Sequence, residues 1–381
     1  MTVSNVRAQR AATAPGQSYP RWVRTALTRA AEESEAIILF DSTIREPTEL
    51  LAGVVRRAFA QPITDRYESV FSSGNSFVTA AVAKRYGVEP DQVISASSAT
   101  SAIAMAIRAF VRPGERVLVE TPGFDLLSTL VREAGAIVDD LPRRAPDFSV
   151  DPDALAAAIR RDTRLILLTQ LHNPSGVALQ PEVLARIGEV AERAGVPVVV
   201  DAVYADFIGS QAFLPMGRQF IVANSLSKVH GLFTLRCGWL TASRENIARI
   251  EAANSQGDLA VSKLTHAVAA LVLEDLAPFD AHWRSALGAA RSVVERHARD
   301  MISAGLIEGD LPPYGCMYFP RVIDVDDTLA LSERLWDEHR LLVAPGEFFG
   351  LPGHIRIGMG GDVEALDRGL ARLAQALSGR G

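Results

Sequence analysis

RLILLTQLHNPSG, residues 164–176, sets how the rest of the chain is read. Its first seven residues form a nearly continuous apolar run, and a polar cluster holding a proline and a glycine follows directly. Two later stretches repeat the design: PVVVDAVY (197–204) and FIVANSLSK (220–228) begin apolar and end polar. Strands apolar on both faces belong to a parallel sheet covered by helices on each side. The connections agree, for LARIGEVAERAG (184–195) has the apolar spacing of an amphipathic helix. Upstream, FVTAAVAKRYG (77–87) reads as a helix and QVISAS (92–97) as a short strand. ATSAIAMAIRAFV (99–111) then places Ala102, Met105, Ala106 and Ala109 on one helical face, and a breaker, RPGE, precedes the strand RVLVE (116–120).

The expected fold class is therefore α/β, with a mostly parallel central sheet flanked by helices. Residues 46–275 form its large domain. After about residue 275 the pattern changes to a long helix (ALGAARSVVERHARDMI, 286–302), then PPYGCMYFP, LLVAPGEFFG, HIRIGMG and a final amphipathic helix, VEALDRGLARLAQAL. This is expected to be a smaller α+β domain, 276–381, with residues 1–45 as an N-terminal arm that contributes part of it. A long helix is expected near residues 245–280, across the boundary.

Composition narrows the function. The 381 residues are 48% hydrophobic and 22% charged, which suits a globular protein, and the net charge of −6 gives no basic field for nucleic acid or anionic membrane. Cys237 and Cys316 lack CxxC spacing, so neither a disulfide framework nor a structural zinc is expected, and no metal site is assigned. No apolar run is long enough to span a bilayer. MTVSNVRAQRAATAPGQ at the start reads as a mobile arm on a cytoplasmic protein.

In an open parallel sheet, ligands bind beyond the C-terminal ends of the strands. Three consecutive strands deliver Asn173, then Asp201 with Tyr204, then Ser225, Ser227 and Lys228 to one edge. There is no GxSxG elbow, no GxxxxGK[ST] loop, no Rossmann glycine fingerprint after the first strand and no HExxH helix. Pyridoxal phosphate wants the groups that are present. A lysine holds its aldehyde and an aspartate keeps its ring nitrogen protonated. Asn173 and Tyr204 can donate to its ring oxygen, while hydroxyls, a helix start and a guanidinium suit its phosphate.

Here the sequence resembles the class I/II aminotransferases of the fold-type I pyridoxal-phosphate enzymes, through nearly the whole chain after residue 60. The motif N-P-[ST]-G matches Asn173 to Gly176, D-x-x-Y matches Asp201 and Tyr204, and S-x-S-K followed by R-x-G matches Ser225, Ser227, Lys228, Arg236 and Gly238. The resemblance implies that Lys228 is the Schiff-base lysine and proton shuttle, and that Asp201 pairs with the ring nitrogen. Ser225, Ser227 and Arg236 become phosphate ligands, together with the Ser98-Ala99-Thr100 turn, whose helix begins near Ser101. Phe124, in ETPGF, matches the aromatic that stacks on the ring. Arg356, in HIRIG after PGEFFG, matches the arginine that grips the substrate α-carboxylate, with Asn173 beside the substrate. Tyr67 lies near the position of a tyrosine that reaches a partner's cofactor, and the family implies a homodimer with shared active sites.

The expected reaction moves an amino group between an L-amino acid and a 2-oxo acid. The same residues serve β- or γ-elimination, decarboxylation or cyclisation, since the bond broken depends on which one stands perpendicular to the ring. DAVYADF (201–207) and LRCG (235–238) look like histidinol-phosphate aminotransferases, whereas HNPSG and PGEFFG look like the aspartate and aromatic branch. FDSTIREP (40–47) departs from the family's glycine-containing G-x-P stretch, which points to an unusual substrate. A non-catalytic cofactor-binding regulator is the alternative from another class; the negative charge and short N-terminal segment leave no room for DNA binding.

Overall fold

The computed structural model describes residues 18–61, 65–69, 74–210, 213–215, 217–254 and 261–379. The N-terminal arm expected over residues 1–17 lies outside the described residues. A seven-stranded sheet organises residues 93–241, in the order β2-β8-β7-β6-β5-β3-β4. Its strands are β2 (Val93–Ala96), β3 (Arg116–Thr121), β4 (Ile137–Pro142), β5 (Thr163–Thr169), β6 (Val198–Asp201), β7 (Phe220–Ser225) and β8 (Gly238–Thr241); an earlier short strand, β1, is Ile37–Ile38. All neighbours are parallel except β8, which runs antiparallel to both β2 and β7.

The apolar runs of the sequence are the middle of this sheet. Leu165 to Leu168 and Val198 to Val200 are buried, and each such side chain stabilises the fold by about 1.5–3 kcal/mol relative to exposure. Helices α4 (Ala99–Phe110), α5 (Asp125–Glu133), α6 (Pro152–Ala158), α7 (Pro181–Ala194) and α8 (Arg244–Asn254) flank it, preceded by α1 (Tyr19–Ala31), α2 (Thr48–Ala58) and α3 (Ser76–Tyr86). Ala102, Met105, Ala106 and Ala109 all lie on the buried face of α4, as the periodicity requires. That helix starts at Ala99, two residues earlier than expected, because Ser98 caps it: the Ser98 hydroxyl accepts from Ser101 N–H, and Ser101 Oγ accepts from Ser98 N–H.

The single helix expected near 245–280 is instead divided. After α8 come α9 (Lys263–Glu274) and α10 (Ala277–Ser303), with residues 255–260 outside the described set. Pro278 in the first turn of α10 suits a helix start and cannot continue one, since it lacks the N–H. The 27 residues of α10 are about 40 Å long.

The C-terminal part is built from short strands: β9 (Ile307–Glu308), β10 (Met317–Tyr318), β11 (Arg321–Val322), β12 (Leu341–Leu342), β13 (Ala344–Pro345) and β14 (Ile355–Gly358), with helices α11 (Thr328–His339) and α12 (Val363–Ser378). β14 lies between β10 and β13. β1 pairs in parallel with β12, so the segment just before residue 40 is tied to the C-terminal strands.

Two strands had no clear signal in the sequence. β4 is an edge strand with one fully buried residue, Leu141, so it lacks an apolar run. β8 is four residues long and antiparallel, and it brings Gly238 beside both Ala96 and Ser225.

Candidate active site

Register decides what meets at the sheet edge. Thr169 is level with Asp201, and Asp201 with Ala223, so the polar ends of β5, β6 and β7 lie side by side. Because β8 runs the other way, its start is at that same edge, with Arg236 just before it. Asp201 Oδ1 accepts from Val203 N–H at 3.2 Å. Burial above all, with the Glu120 carboxylate adding to it, pushes Asp201 up to about 6.

Lys228 stands three residues beyond the end of β7, and its Nζ donates to Thr43 Oγ1 at 3.0 Å. Burial drives this amine below the ordinary lysine range, and the Arg356 guanidinium acts in the same direction. Tyr204 stacks on Phe207, with centroids 6.3 Å apart and planes 14° apart, and its phenol shares a 2.9 Å hydrogen bond with Ser42 Oγ. Burial raises that phenol well above the usual tyrosine range.

The start of α4 faces the same edge. The Ser98 hydroxyl is taken by its capping bond, whereas the N–H groups of Ala99 and Thr100 have no partner among the described residues. Unpaired N–H groups at a helix start attract anions. Ser227 Oγ is buried without a partner, and Ser225 Oγ accepts from Ser227 N–H at 3.3 Å. Gly238 packs against this turn so closely that a Cβ there would sit 2.5 Å from the Ser98 carbonyl carbon and 2.8 Å from Ala99 N. Arg236, at φ +47°, stacks its guanidinium 4.8 Å from the Phe233 ring centroid and has no acidic partner among the described residues.

The opposite wall comes from the C-terminal part. Arg356 on β14 donates from Nη1 to Asn173 Oδ1 at 2.7 Å and from Nη2 to the Tyr19 hydroxyl and the Phe40 carbonyl. Its guanidinium carbon lies 4.9 Å from the ring centroids of both Tyr19 and Phe349, and its Nε is buried without a partner. Asn173 is braced from below. Its N–H donates to Thr169 Oγ1 at 3.1 Å, that hydroxyl donates to Glu120, and Glu120 pairs with Arg143 at 2.6 Å, both side chains fully buried. His172 donates from Nε2 to the Pro122 carbonyl at 2.8 Å and shares a 2.7 Å hydrogen bond between Nδ1 and the Ser175 hydroxyl; burial holds its pKa well below the ordinary histidine value, so the ring is neutral.

The structure thus brings Lys228, Asp201, Tyr204, Asn173 and Arg356 together beyond the strand ends, with Ser225, Ser227, Arg236, Ala99 and Thr100 along the same edge. Two residues behave differently. Phe124 starts α5 half-buried and meets Tyr19 edge-on, centroids 6.2 Å apart. Tyr67 is 40% exposed. Sequence reasoning passed over Tyr19, Ser42, Thr43 and Glu120. The DST of residues 41–43 stood out only as a departure, and Tyr19 carried no signal, since the hydrogen bonds that tie it to Asp125 and Arg356 come from residues more than a hundred positions away.

Among the described residues no group of His, Cys, Asp and Glu is arranged to hold a metal ion, and no helix is long and apolar enough to cross a membrane. The model of the family described as aminotransferase class I and II matches residues 53–373. The chain is 31% identical over 318 residues to capreomycidine synthase from Streptomyces vinaceus, covering 80% of either chain. Its structure superposes on the aspartate aminotransferase of Thermotoga maritima with a TM-score of 0.82 at 20% identity, over 96% of this chain and 98% of that one. It superposes on the PLP-dependent cyclase OrfR with a TM-score of 0.79 at 25% identity, over 98% of this chain and 100% of that one. This chain belongs to the class I and II aminotransferases, and it is a pyridoxal 5′-phosphate-dependent enzyme of that family, with amino acids and keto acids as its substrates.

Proposed function

We propose that the enzyme moves an amino group between an L-amino acid and a 2-oxo acid, with Lys228 as the residue that holds the cofactor's aldehyde. When bound, the cofactor supplies a carbonyl that condenses with amines and a ring that accepts the electron pair left by a bond broken at the α-carbon. The residues fit it. Among the described residues, Ala99 and Thr100 N–H, Ser227 Oγ and the Arg236 guanidinium are donors without acceptors of their own, and Gly238 leaves the backbone beside them free of a side chain. Asp201 would face the ring nitrogen, whose positive charge restores the carboxylate that burial disfavours. Tyr204 and Asn173 would donate to the ring oxygen, Ser225 would join the phosphate set and Phe124 would cover the ring. Arg356 would grip the α-carboxylate with a planar fork that lysine lacks. Lys228, freed by the incoming amine, would remove and return the proton.

The observation that supports this most is the shared edge of β6, β7 and β8, beyond which Asp201, Lys228 and Arg236 follow their strands or lead into them. The test is an absorbance titration of the cofactor-loaded protein with single L-amino acids. Reversible loss of the visible band, restored by a 2-oxo acid, is expected; loss without return would overturn amino transfer.

Cyclisation is the second reading, favoured by the identity to capreomycidine synthase and to the cyclase OrfR. It predicts a product that keeps the substrate's nitrogen and forms without any 2-oxo acid, which mass spectrometry distinguishes directly.

We further propose a homodimer, with Tyr67 reaching the cofactor phosphate of a second copy. Tyr67 is 40% exposed on a single chain, so its ring is open to a second copy. Full activity in a species sedimenting as a monomer would remove Tyr67 from the site. The division into residues 46–275 and 276–381, the latter joined by 1–45, remains our working description of the domains. The cytoplasm is the compartment we assign, since Cys237 and Cys316 are both free and buried.

A further inference from the structure

The unusual segment FDSTIREP is threaded between two walls of the site. On one side Gly358 N–H donates to the Leu39 carbonyl at 2.6 Å and Gly360 N–H to the Asp41 carbonyl at 3.0 Å. A Cβ on Gly360 would stand only 1.8 Å from the Thr43 carbonyl. On the other side Ile44 N–H donates to the Lys228 carbonyl at 3.1 Å, and a Cβ on Gly231 would meet the Ile44 carbonyl at 2.5 Å. Thr43 N–H also donates to Asp41 Oδ1 at 2.9 Å. With its backbone held from both sides, the segment aims Thr43 Oγ1 at Lys228 Nζ, 3.0 Å away, and Nζ has no other hydrogen-bond partner among the described residues.

We propose that Thr43 is a positioning residue whose hydroxyl captures the Lys228 amine whenever the cofactor does not hold it, fixing the direction from which that amine takes and returns protons. The inference rests on the reading of Lys228 given above. A lysine amine sits on a flexible four-carbon stem, and a general base works only within hydrogen-bond reach of the proton it moves. One fixed acceptor removes that freedom. The groups facing Nζ are the Asp41 and Asp201 carboxylates, which favour the ammonium, the Cys316 thiol, which burial keeps uncharged, and the Arg356 guanidinium, which opposes the ammonium along with burial. A hydroxyl that accepts from Nζ also favours the ammonium, so its removal shifts the amine further toward the neutral form.

The test compares wild type with Thr43→Val, Thr43→Ala and Thr43→Ser, each loaded with pyridoxamine phosphate so that Lys228 is free. The rate of Lys228 acetylation by acetic anhydride is followed against pH by peptide mass spectrometry. Val and Ala are expected to lower the titration midpoint by roughly half a unit or more and to raise labelling at neutral pH about threefold, while Ser stays close to wild type. Val and Ala titrating like wild type, or Ser shifting as far as Val, would overturn the role of the hydroxyl. In parallel, borohydride is added to the same proteins loaded with pyridoxal phosphate. A cofactor-bearing Lys228 peptide from wild type and variants, with unmoved titrations, sinks the Thr43 inference alone; no such peptide from wild type sinks the reading of Lys228 and this inference with it.

Discussion

Arg356 Nη1 donates to Asn173 Oδ1 at 2.7 Å, joining two residues 183 positions apart, one on a C-terminal strand and one on the loop after β5. The bond gives each a direction that neither would keep alone. Arg356 lies against the adjoining Tyr19 and Phe349 rings, and Asn173 stands on the Thr169, Glu120 and Arg143 chain.

Replacing Asn173 by Ala leaves a buried guanidinium short of one acceptor. A hydrogen bond to a charged group is worth about 1.5–3 kcal/mol, so the KM for the amino acid is expected to rise by roughly tenfold or more. Steady-state kinetics on a fixed donor would show it. An unchanged KM would mean that Arg356 keeps its aim without Asn173.

Arg356→Lys keeps the charge and loses the fork. We expect kcat/KM for amino acids to fall by about two orders of magnitude, with cofactor retention and its visible spectrum preserved, because the loss concerns bidentate carboxylate binding. Equal losses for an amino acid and for its decarboxylated amine would contradict the assignment, since only the first presents a carboxylate.

Asp201 gives a pH prediction with a defined sign. Its folded-state value of about 6 lies above that of an unfolded aspartate, about 3.9, so the folded chain without cofactor binds the extra proton. The stability tied to that proton is present below about pH 4 and is lost as pH rises through about 6, up to about 3 kcal/mol in all. Asp201→Asn should therefore melt with the cofactor-free wild type at pH 4 and above it at pH 7. Loading the cofactor should cancel the gain, as the ring cation stabilises the carboxylate. A gap between variant and wild type that ignores pH would refute the account.

Gly238→Ala tests the proposed phosphate site. The new methyl would press on the Ser98 carbonyl carbon and Ala99 N, which are backbone atoms and cannot swing aside. The start of α4 must shift, costing about 1–3 kcal/mol of stability, and cofactor affinity is expected to fall at least tenfold. Equilibrium dialysis measures the second effect. Normal affinity with reduced stability would place the phosphate elsewhere.

Much of this was legible without a structure, for identifiable reasons. The runs at Leu165–Leu168 and Val198–Val200 are apolar on both faces because helices cover both, and that alone implies a parallel sheet with its ligands at the strand ends. Asn173 follows the first run, Asp201 and Tyr204 the second, and Lys228 the similar run Phe220–Ala223, each by a short spacing, so local sequence carries them to the edge. Tertiary structure decided the rest. The antiparallel β8 turns Arg236 and Gly238 toward the same edge, a direction that four residues of GWLT do not announce. Tyr19, Ser42 and Thr43 meet Arg356, Tyr204 and Lys228 because β1 is tied to β12 and the following segment is squeezed between Gly360 and Gly231. Strand character is a local property of side-chain pattern, but a contact between residues more than 150 positions apart depends on how separate elements pack, and no spacing in the chain encodes that distance.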